Sequence, residues 1–414
     1  MISRIEAINY KCLKYTSVSL EPFHILVGPN ASGKSTFLDV IAFLGSAVKN
    51  GPEQAVLERA QSLRELTWKG SSDDFELAVE LRIPETVSAF LPSEKNYYSC
   101  RYEVRVGIDP QEGGIRFLGE NFFLISGNGP TVPPDLELFP QENKIPESII
   151  RSHRRIPHGW RKVLGWGEKN QVNFHSETTG WNFPLRPGKQ KSALGLSPDD
   201  ERFPVSNWVK TILTEGVQVL QLNSRAMHES SRPGTQKFRL QPDGSNLSIL
   251  IEHLRNKEPG RFSQWLAHVQ TVFPQIQDIV VPENSRDFVI QYSHDILVPL
   301  KLLSDGTLRF LALTLLAYIP EQGLVFLIEE PENGIHPKSL EAVYMSLSSV
   351  YNSQVLCATH SPLFLGLAKL SDLVCFAMTD EGAANIVKGS EHPALKDWKG
   401  EVSLETLYAA GVFG

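Results

Sequence analysis

The sequence predicts an α/β fold: a mostly parallel sheet wrapped by helices, an N-terminal antiparallel sheet, and an inserted region of helices and loops. Three observations carry that expectation. A glycine-rich turn, Gly28-Pro-Asn-Ala-Ser-Gly-Lys-Ser35, joins an apolar run to a helix-patterned one. An apolar strand, Leu324-Val-Phe-Leu-Ile-Glu-Glu330, ends on two carboxylates. The C-terminal part alternates helix and strand, the order that builds a parallel sheet.

The opening residues read as strands: Ile2–Tyr10, Tyr15–Leu20, and Phe23-His-Ile-Leu-Val27 running into the glycine-rich turn. Phe37, Leu38, Ile41, Leu44 and Val48 then recur at helical spacing. Strand, turn and helix in this order suit a phosphate. Glycines let the backbone wrap an anion closely, and the helix N-terminus presents amides and the positive end of its dipole. The turn fits G-x-x-x-x-G-K-[ST] at every fixed position, which makes Gly28, Asn30, Gly33, Lys34, Ser35 and Thr36 candidate nucleotide ligands. Lys34 can reach the β- and γ-oxygens as a mobile charge, Ser35 is placed to ligate Mg²⁺, and Thr36 to bond an inner phosphate oxygen.

Gly51–Leu63 reads as helical. Phe75–Ile83, Tyr98–Val106 and Gly114–Ile125 alternate apolar and polar residues, which predicts an antiparallel sheet with one solvated face. Composition shifts near residue 127, where prolines 130, 133, 134, 140 and 146 break regular structure. From there to about 203 loops with short helices are expected. Helices return after Val205, notably Ser248–Arg255 and Phe262–Val272, followed by strands Ile276–Val281 and Phe288–Tyr292. Thr307–Tyr318 is apolar nearly all round and so a buried helix. Leu324–Ile328, helical Ser339–Val350 and strand Gln354–Ala358 complete the alternation. The expected organisation is residues 1–126 as one half of a head, 127–284 as an inserted lid or docking region, and 285–414 as the other half.

Composition is that of an ordinary globular chain, 41% hydrophobic and 21% charged. The net charge of −7 lacks the basic balance of a dedicated nucleic-acid coat. No apolar run approaches the roughly 18 residues of a membrane span, and no secretory signal opens the chain. Cys12, Cys100, Cys357 and Cys375 show neither metal-type pairing nor a disulfide framework, so a cytoplasmic location is expected.

Glu329 and Glu330 lie at the carboxyl end of an apolar strand, where open α/β sheets bind ligands. The first acid can hold Mg²⁺, and the second, partly desolvated beside phosphates, can orient and deprotonate water. Paired acids at a strand end also occur as plain surface residues; the phosphate loop tips the reading towards catalysis. Ser304-Asp-Gly306 precedes a long helix and offers a hydroxyl, a glycine amide and a helix N-terminus, although a simple helix cap has the same form. His360, one strand after the acids, can bond a γ-phosphate or the attacking water; a lone histidine is more often structural.

The ordered set Gly28–Thr36, Leu303–Thr307, Ile328-Glu-Glu-Pro-Glu-Asn-Gly-Ile-His-Pro337 and Ala358-Thr-His-Ser-Pro362 resembles an ABC-type ATPase of the SMC, RecF and OLD group. More narrowly, the chain is similar to stand-alone OLD-like bacterial ATPases of the "AAA family" label. The resemblance implies a P-loop NTPase fold of ABC-ATPase type. It makes Gly28, Asn30, Gly33, Lys34, Ser35 and Thr36 Walker A, and Ser304 and Gly306 the signature that contacts ATP on the opposite protomer. It makes Glu329 the Walker B magnesium acid, Glu330 the catalytic glutamate, Glu332–His336 the D-loop and His360 the switch histidine. Three features depart from the pattern: Ser-Asp-Gly-Thr replaces Ser-Gly-Gly-Gln, Glu329 replaces an aspartate, and no Q-loop glutamine can be placed.

A signature acting in trans implies a homodimer or higher oligomer with an isologous interface, ATP as glue and hydrolysis as release. The resemblance therefore implies Mg²⁺-dependent ATP hydrolysis as a switch in a DNA-transaction, phage-defence or toxin-like module. Unlike SMC relatives the chain has no heptads for a long coiled coil. Too few residues follow His360 for a TOPRIM domain, which implies a TOPRIM-like or nuclease effector from a neighbouring gene. Arg151-Ser-His-Arg-Arg155 through Trp160-Arg-Lys162, with Lys189 and Lys191 beyond, is the densest basic stretch, and its tryptophans would suit DNA contact. A basic loop that binds nothing fits equally. The alternatives are a nucleotide-dependent scaffold with little hydrolysis and a DNA-repair ATPase of RecF type. A transporter subunit is disfavoured by the long gap between Walker A and signature, and a GTPase by the lack of an N-K-x-D motif.

Overall fold

The computed structural model describes residues 1–92, 96–127, 138–141, 144–151, 156–166, 172–185, 188, 190–198, 201–229, 239–280, 282, 288–396, 398, 400 and 402–413. Strands β1 (Ile2–Tyr10), β2 (Leu13–Ser19) and β3 (Phe23–Val27) lead into helices α1 (Lys34–Asn50) and α2 (Pro52–Leu57). Strand β4 (Asp74–Arg82), helix α3 (Glu85–Ser88), and strands β5 (Tyr97–Ile108), β6 (Ile115–Ser126), β7 (Trp160–Trp166), β8 (Val172–His175) and β9 (Asn182–Leu185) follow. Next come α4 (Pro204–Thr211), β10 (Val217–Leu220), α5 (Ser224–His228), α6 (Leu247–Lys257), α7 (Pro259–Val272), β11 (Ile276–Val280), β12 (Val289–Tyr292) and β13 (Ile296–Pro299). The chain continues through α8 (Asp305–Leu315), β14 (Val325–Glu329), α9 (Leu340–Ser348), β15 (Gln354–Ala358), α10 (Pro362–Gly366), β16 (Leu373–Met378), β17 (Ala384–Lys388) and α11 (Leu404–Ala409).

Two large sheets organise these elements. The first is antiparallel with the order β2-β1-β4-β5-β6-β7-β8-β9. The second runs β10-β14-β15-β3-β16-β17, parallel except for the β16–β17 hairpin. Strands β11–β13 form a third, small antiparallel sheet.

The parallel sheet is buried on both faces, as its continuous apolar strands require. Side chains alternate between two cores. Leu26, Val325, Leu327, Leu356 and Phe376 join α1 and the antiparallel sheet. Ile25, Val27, Phe326, Ile328, Cys357 and Cys375 face α6, α7, α8 and α9. The small buried cysteines thus fill the second core, as their apolar surroundings predict.

Two expectations need correction. Where the sequence predicts loops with short helices, β7, β8 and β9 extend the antiparallel sheet by three strands. Strand β10, within the expected inserted region 127–284, edges the parallel sheet. The physical reason is edge satisfaction: β6 would otherwise expose a full ladder of unpaired amides and carbonyls. Prolines 130, 133 and 134 lie outside the described residues.

The predicted solvated face of the antiparallel sheet is also largely covered. Arg101, only 1% exposed, pairs with Glu6 at 2.6 Å, Glu80 at 3.1 Å and Glu103 at 2.8 Å. Segment 148–151 closes over this face, with the Ile149 amide donating to Glu76 at 2.8 Å and the Arg151 amide to Glu103 at 2.6 Å. The polar residues of the alternation are there, but they meet backbone donors instead of water.

Candidate nucleotide site

Strand β3 delivers the glycine-rich turn to the carboxyl edge of the parallel sheet, and the turn needs its glycines for different reasons. Gly28, at φ 153°, faces the carbonyl of Phe376, and a Cβ there would fall 2.2 Å from that oxygen. Gly33 adopts φ 99°, a left-handed conformation, and any Cβ would meet Cys12 Sγ and Ala384 at 2.9 Å. Helix α1 starts with no side-chain cap and no acid in its first turn. Its leading amides are therefore left to an anion.

Lys34 folds back over the turn, donating from Nζ to the carbonyls of Gly28 at 2.8 Å and Pro29 at 2.7 Å. Burial lowers its pKa to about 8, against the opposing pull of Glu329 and Glu330. Those contacts put the lysine charge between the turn and the acids, where a phosphate chain would replace the two carbonyls as its partner. Ser35 is exposed and Thr36 half-buried. Asp39, one turn further, anchors the helix through Tyr10 Oη at 2.7 Å, Lys11 and Arg59 Nε at 2.7 Å.

Strand β15 lies between β3 and β14, and Glu329 pairs with Ala358 in register. The two acids therefore end one strand away from the glycine-rich turn, at the same sheet edge. Both are exposed. Glu330 has φ 49°, a strained conformation for a residue with a Cβ, held by its amide donating to the Ala358 carbonyl at 2.7 Å. Asn333 Nδ2 donates to its carboxylate.

His360 closes the cluster from the end of β15. Burial and Lys34 lower its pKa, while Glu330, Glu332 and Glu329 pull the other way. Its amide donates to Glu332 Oε1 at 3.2 Å, and Thr359 Oγ1 donates to the same oxygen at 2.7 Å. The other oxygen, Oε2, is buried without a hydrogen-bond partner among the described residues. Glu332 thus ties the loop after β14 to the histidine, a role beyond its place in the motif.

The predicted signature lies apart from this cluster. Ser304 caps α8, accepting from the Thr307 amide at 3.2 Å. Asp305 pairs with His228 Nε2 at 3.2 Å. Gly306 presses on the 331–336 loop, where a Cβ would fall 2.4 Å from the Gly334 carbonyl. Arg309 donates to the carbonyls of Leu222 at 2.9 Å and Asn333 at 3.4 Å. Among the described residues no hydrogen bond joins Ser304 or Gly306 to the glycine-rich turn. The structure brings Gly28, Asn30, Gly33, Lys34, Ser35 and Thr36 to one edge with Glu329, Glu330 and His360, and leaves Ser304 and Asp305 facing outward.

The donor set fits a magnesium nucleotide: the Ser35 hydroxyl and Glu329 carboxylate are hard oxygen ligands beside a phosphate-binding helix end. Among the described residues no group of three or more His, Cys, Asp or Glu side chains forms an all-protein metal cage. Magnesium commonly binds in that way, through one or two protein oxygens and substrate phosphates.

Arg151, Arg161 and Lys162 of the basic stretch are engaged within the fold. Arg151 lies over the Trp160 ring at 5.7 Å, and Lys162 over Phe123 at 5.7 Å. Arg161 donates to the carbonyls of Ser176, Glu177 and Thr179. Residues 152–155 and Lys189 lie outside the described residues.

The sheet order and the glycine-rich turn are those of a P-loop NTPase fold of ABC head type. Residues 1–109 match a family model described as "AAA ATPase domain". Residues 223–366 match one described as "AAA domain, putative AbiEii toxin, Type IV TA system". No curated protein matches the sequence. Among solved structures, the chain is similar to an Smc head bound to the C-winged helix domain of ScpA, at TM-score 0.51 and 13% identity, covering 99% of each chain. An Smc head domain with an extended coiled coil, bound to the C-terminal domain of ScpA from Pyrococcus furiosus, aligns at TM-score 0.46 and 10% identity over 99% of this chain and 98% of that one. The SMC head domain from Thermotoga maritima aligns at 0.40 and 12% over 94% and 98%. Two parts of the chain thus match AAA-type ATPase family models, and its fold is that of an Smc head.

Proposed function

We propose that the protein binds Mg²⁺-ATP on Gly28–Thr36 and hydrolyses it slowly as a head-to-tail dimer. One observation carries this reading: adjacent strands of one sheet bring Lys34, Glu329, Glu330 and His360 to the same edge, where the two acids act on the charges of the lysine and the histidine. Ser35 and Glu329 would hold the metal, which would neutralise developing charge on the phosphates. Glu330 orients and deprotonates water, and its strained backbone keeps the carboxylate clear of the sheet. His360 bonds the γ-phosphate or the water. The exposed Ser304, with Gly306 beside it, completes the site of a second copy. Residues 1–126 and 285–414 supply the two halves of this head.

The protein then acts as a cytoplasmic switch in a defence or toxin-like module with a separate TOPRIM-like or nuclease effector. The toxin–antitoxin description attached to residues 223–366 supports that placement. Stimulation of hydrolysis by duplex DNA would move the assignment to DNA repair or transactions. A Lys34→Ala variant is expected to lose ATP binding in a fluorescent-nucleotide titration. Glu330→Gln is expected to accumulate an ATP-locked dimer on a sizing column. Wild-type hydrolysis by Glu330→Gln overturns the water-activation assignment.

A further inference from the structure

We propose that Tyr408 is a positioning residue for His360, fixing the imidazole tautomer that faces the nucleotide. The inference rests on the ATPase reading above and extends the site to a helix that carries none of its motifs. Helix α11 packs against α10, which begins two residues after His360. Ser403 caps α11 by accepting from the Thr406 amide at 3.2 Å, and Leu404 and Phe413 are buried. The Tyr408 ring meets Phe413 edge-on at 5.9 Å, which fixes its direction. Its hydroxyl lies 3.5 Å from His360 Nδ1. Glu332 holds the backbone amide of the same histidine. The imidazole is thus gripped at its main chain and at one ring nitrogen.

The chemistry follows from hydrogen-bond inventory. Burial and Lys34 favour the neutral ring, which has one N–H and one bare nitrogen. Burial and Glu332 raise the pKa of Tyr408, so the phenol keeps its proton and can donate it. A hydroxyl donating to Nδ1 leaves the ring proton on Nε2. Nε2–H then donates to a γ-phosphate oxygen or holds the attacking water. The opposite tautomer would turn a bare nitrogen towards phosphate oxygens that can only accept. One nitrogen's partner setting the other's role is the logic of catalytic and metal-bound histidines generally.

The test uses the full-length chain. Tyr408→Phe keeps the ring packing and removes one hydroxyl. Its kcat should fall about fivefold, the weight of one ordinary neutral hydrogen bond, with KM for ATP and melting temperature unchanged. Nitrogen-15 spectra of histidine-labelled protein, with His360 assigned by its absence in His360→Gln, should show Nε2–H in the wild type and a tautomer mixture in Tyr408→Phe. Nδ1–H in the wild type overturns the proposal, as does wild-type kcat in Tyr408→Phe while His360→Gln is impaired. Undiminished hydrolysis in both His360→Gln and Glu330→Gln would overturn the placing of these two residues in the site, whereas a wild-type chain that hydrolyses no ATP would overturn the ATPase reading beneath the proposal.

Discussion

Arg101 neutralises three carboxylates from inside the antiparallel sheet. Burial disfavours its charge, yet Glu6, Glu103 and Glu80 outweigh that effect and raise its pKa. Arg101→Met leaves those acids without their counter-ion and should cost about 3–5 kcal/mol in urea unfolding. Glu177 illustrates the converse. It accepts from the amides of Val205 at 2.6 Å and Ser206 at 2.9 Å, but burial prevails and lifts its pKa to about 7. A carboxyl with a raised native pKa binds protons more tightly folded than unfolded, so its contribution is full below about pH 4.5 and fades as pH rises to about 7. The melting temperature of Glu177→Gln relative to wild type should therefore climb between pH 5 and pH 8. Parallel curves for the two proteins would contradict this.

Helix α8 meets the 331–336 loop at a glycine, and the contact allows no side chain: Gly306→Ala puts a Cβ against the Gly334 carbonyl. The first turn of the helix must lift, with an expected loss of about 1–3 kcal/mol by thermal melting and a parallel drop in hydrolysis. Elements of this kind separate what sequence makes legible from what it hides. Strand β3, its turn and α1 are contiguous, each with its own periodicity or fixed-spacing motif, and β14 and α8 are long apolar segments. The places of their candidate site residues in the fold are readable for the same reason. Strands β8 and β9 have four residues each, too few for a period to register. The covered polar face was hidden because alternation reports polarity and not what the polar groups touch. Tyr408 was hidden because it meets His360 across 48 positions with no shared motif. Glu332 was visible as a motif letter, while its bonds to Thr359 and His360 were not.

At the scale of the molecule, Gln354 joins the two large sheets. Its side chain accepts from the Ile2 amide at 3.1 Å and donates to the carbonyls of Ile2 and Glu21, each at 2.9 Å. Gln354→Leu strands buried main-chain groups and should lower unfolding stability by about 2–4 kcal/mol in a urea titration. Ile2 and Gln354 are 352 positions apart, and β3 is seated between β15 and β16 near the middle of the parallel sheet. A ribosome therefore releases β3 long before either of its neighbours exists. Until β15 and β16 emerge, that strand is an apolar segment with two open edges, the kind of species chaperones engage. Topology so dominated by distant pairing also folds slowly. The glycine-rich turn, translated hundreds of residues before the strands that flank β3, is among the last features to acquire its shape.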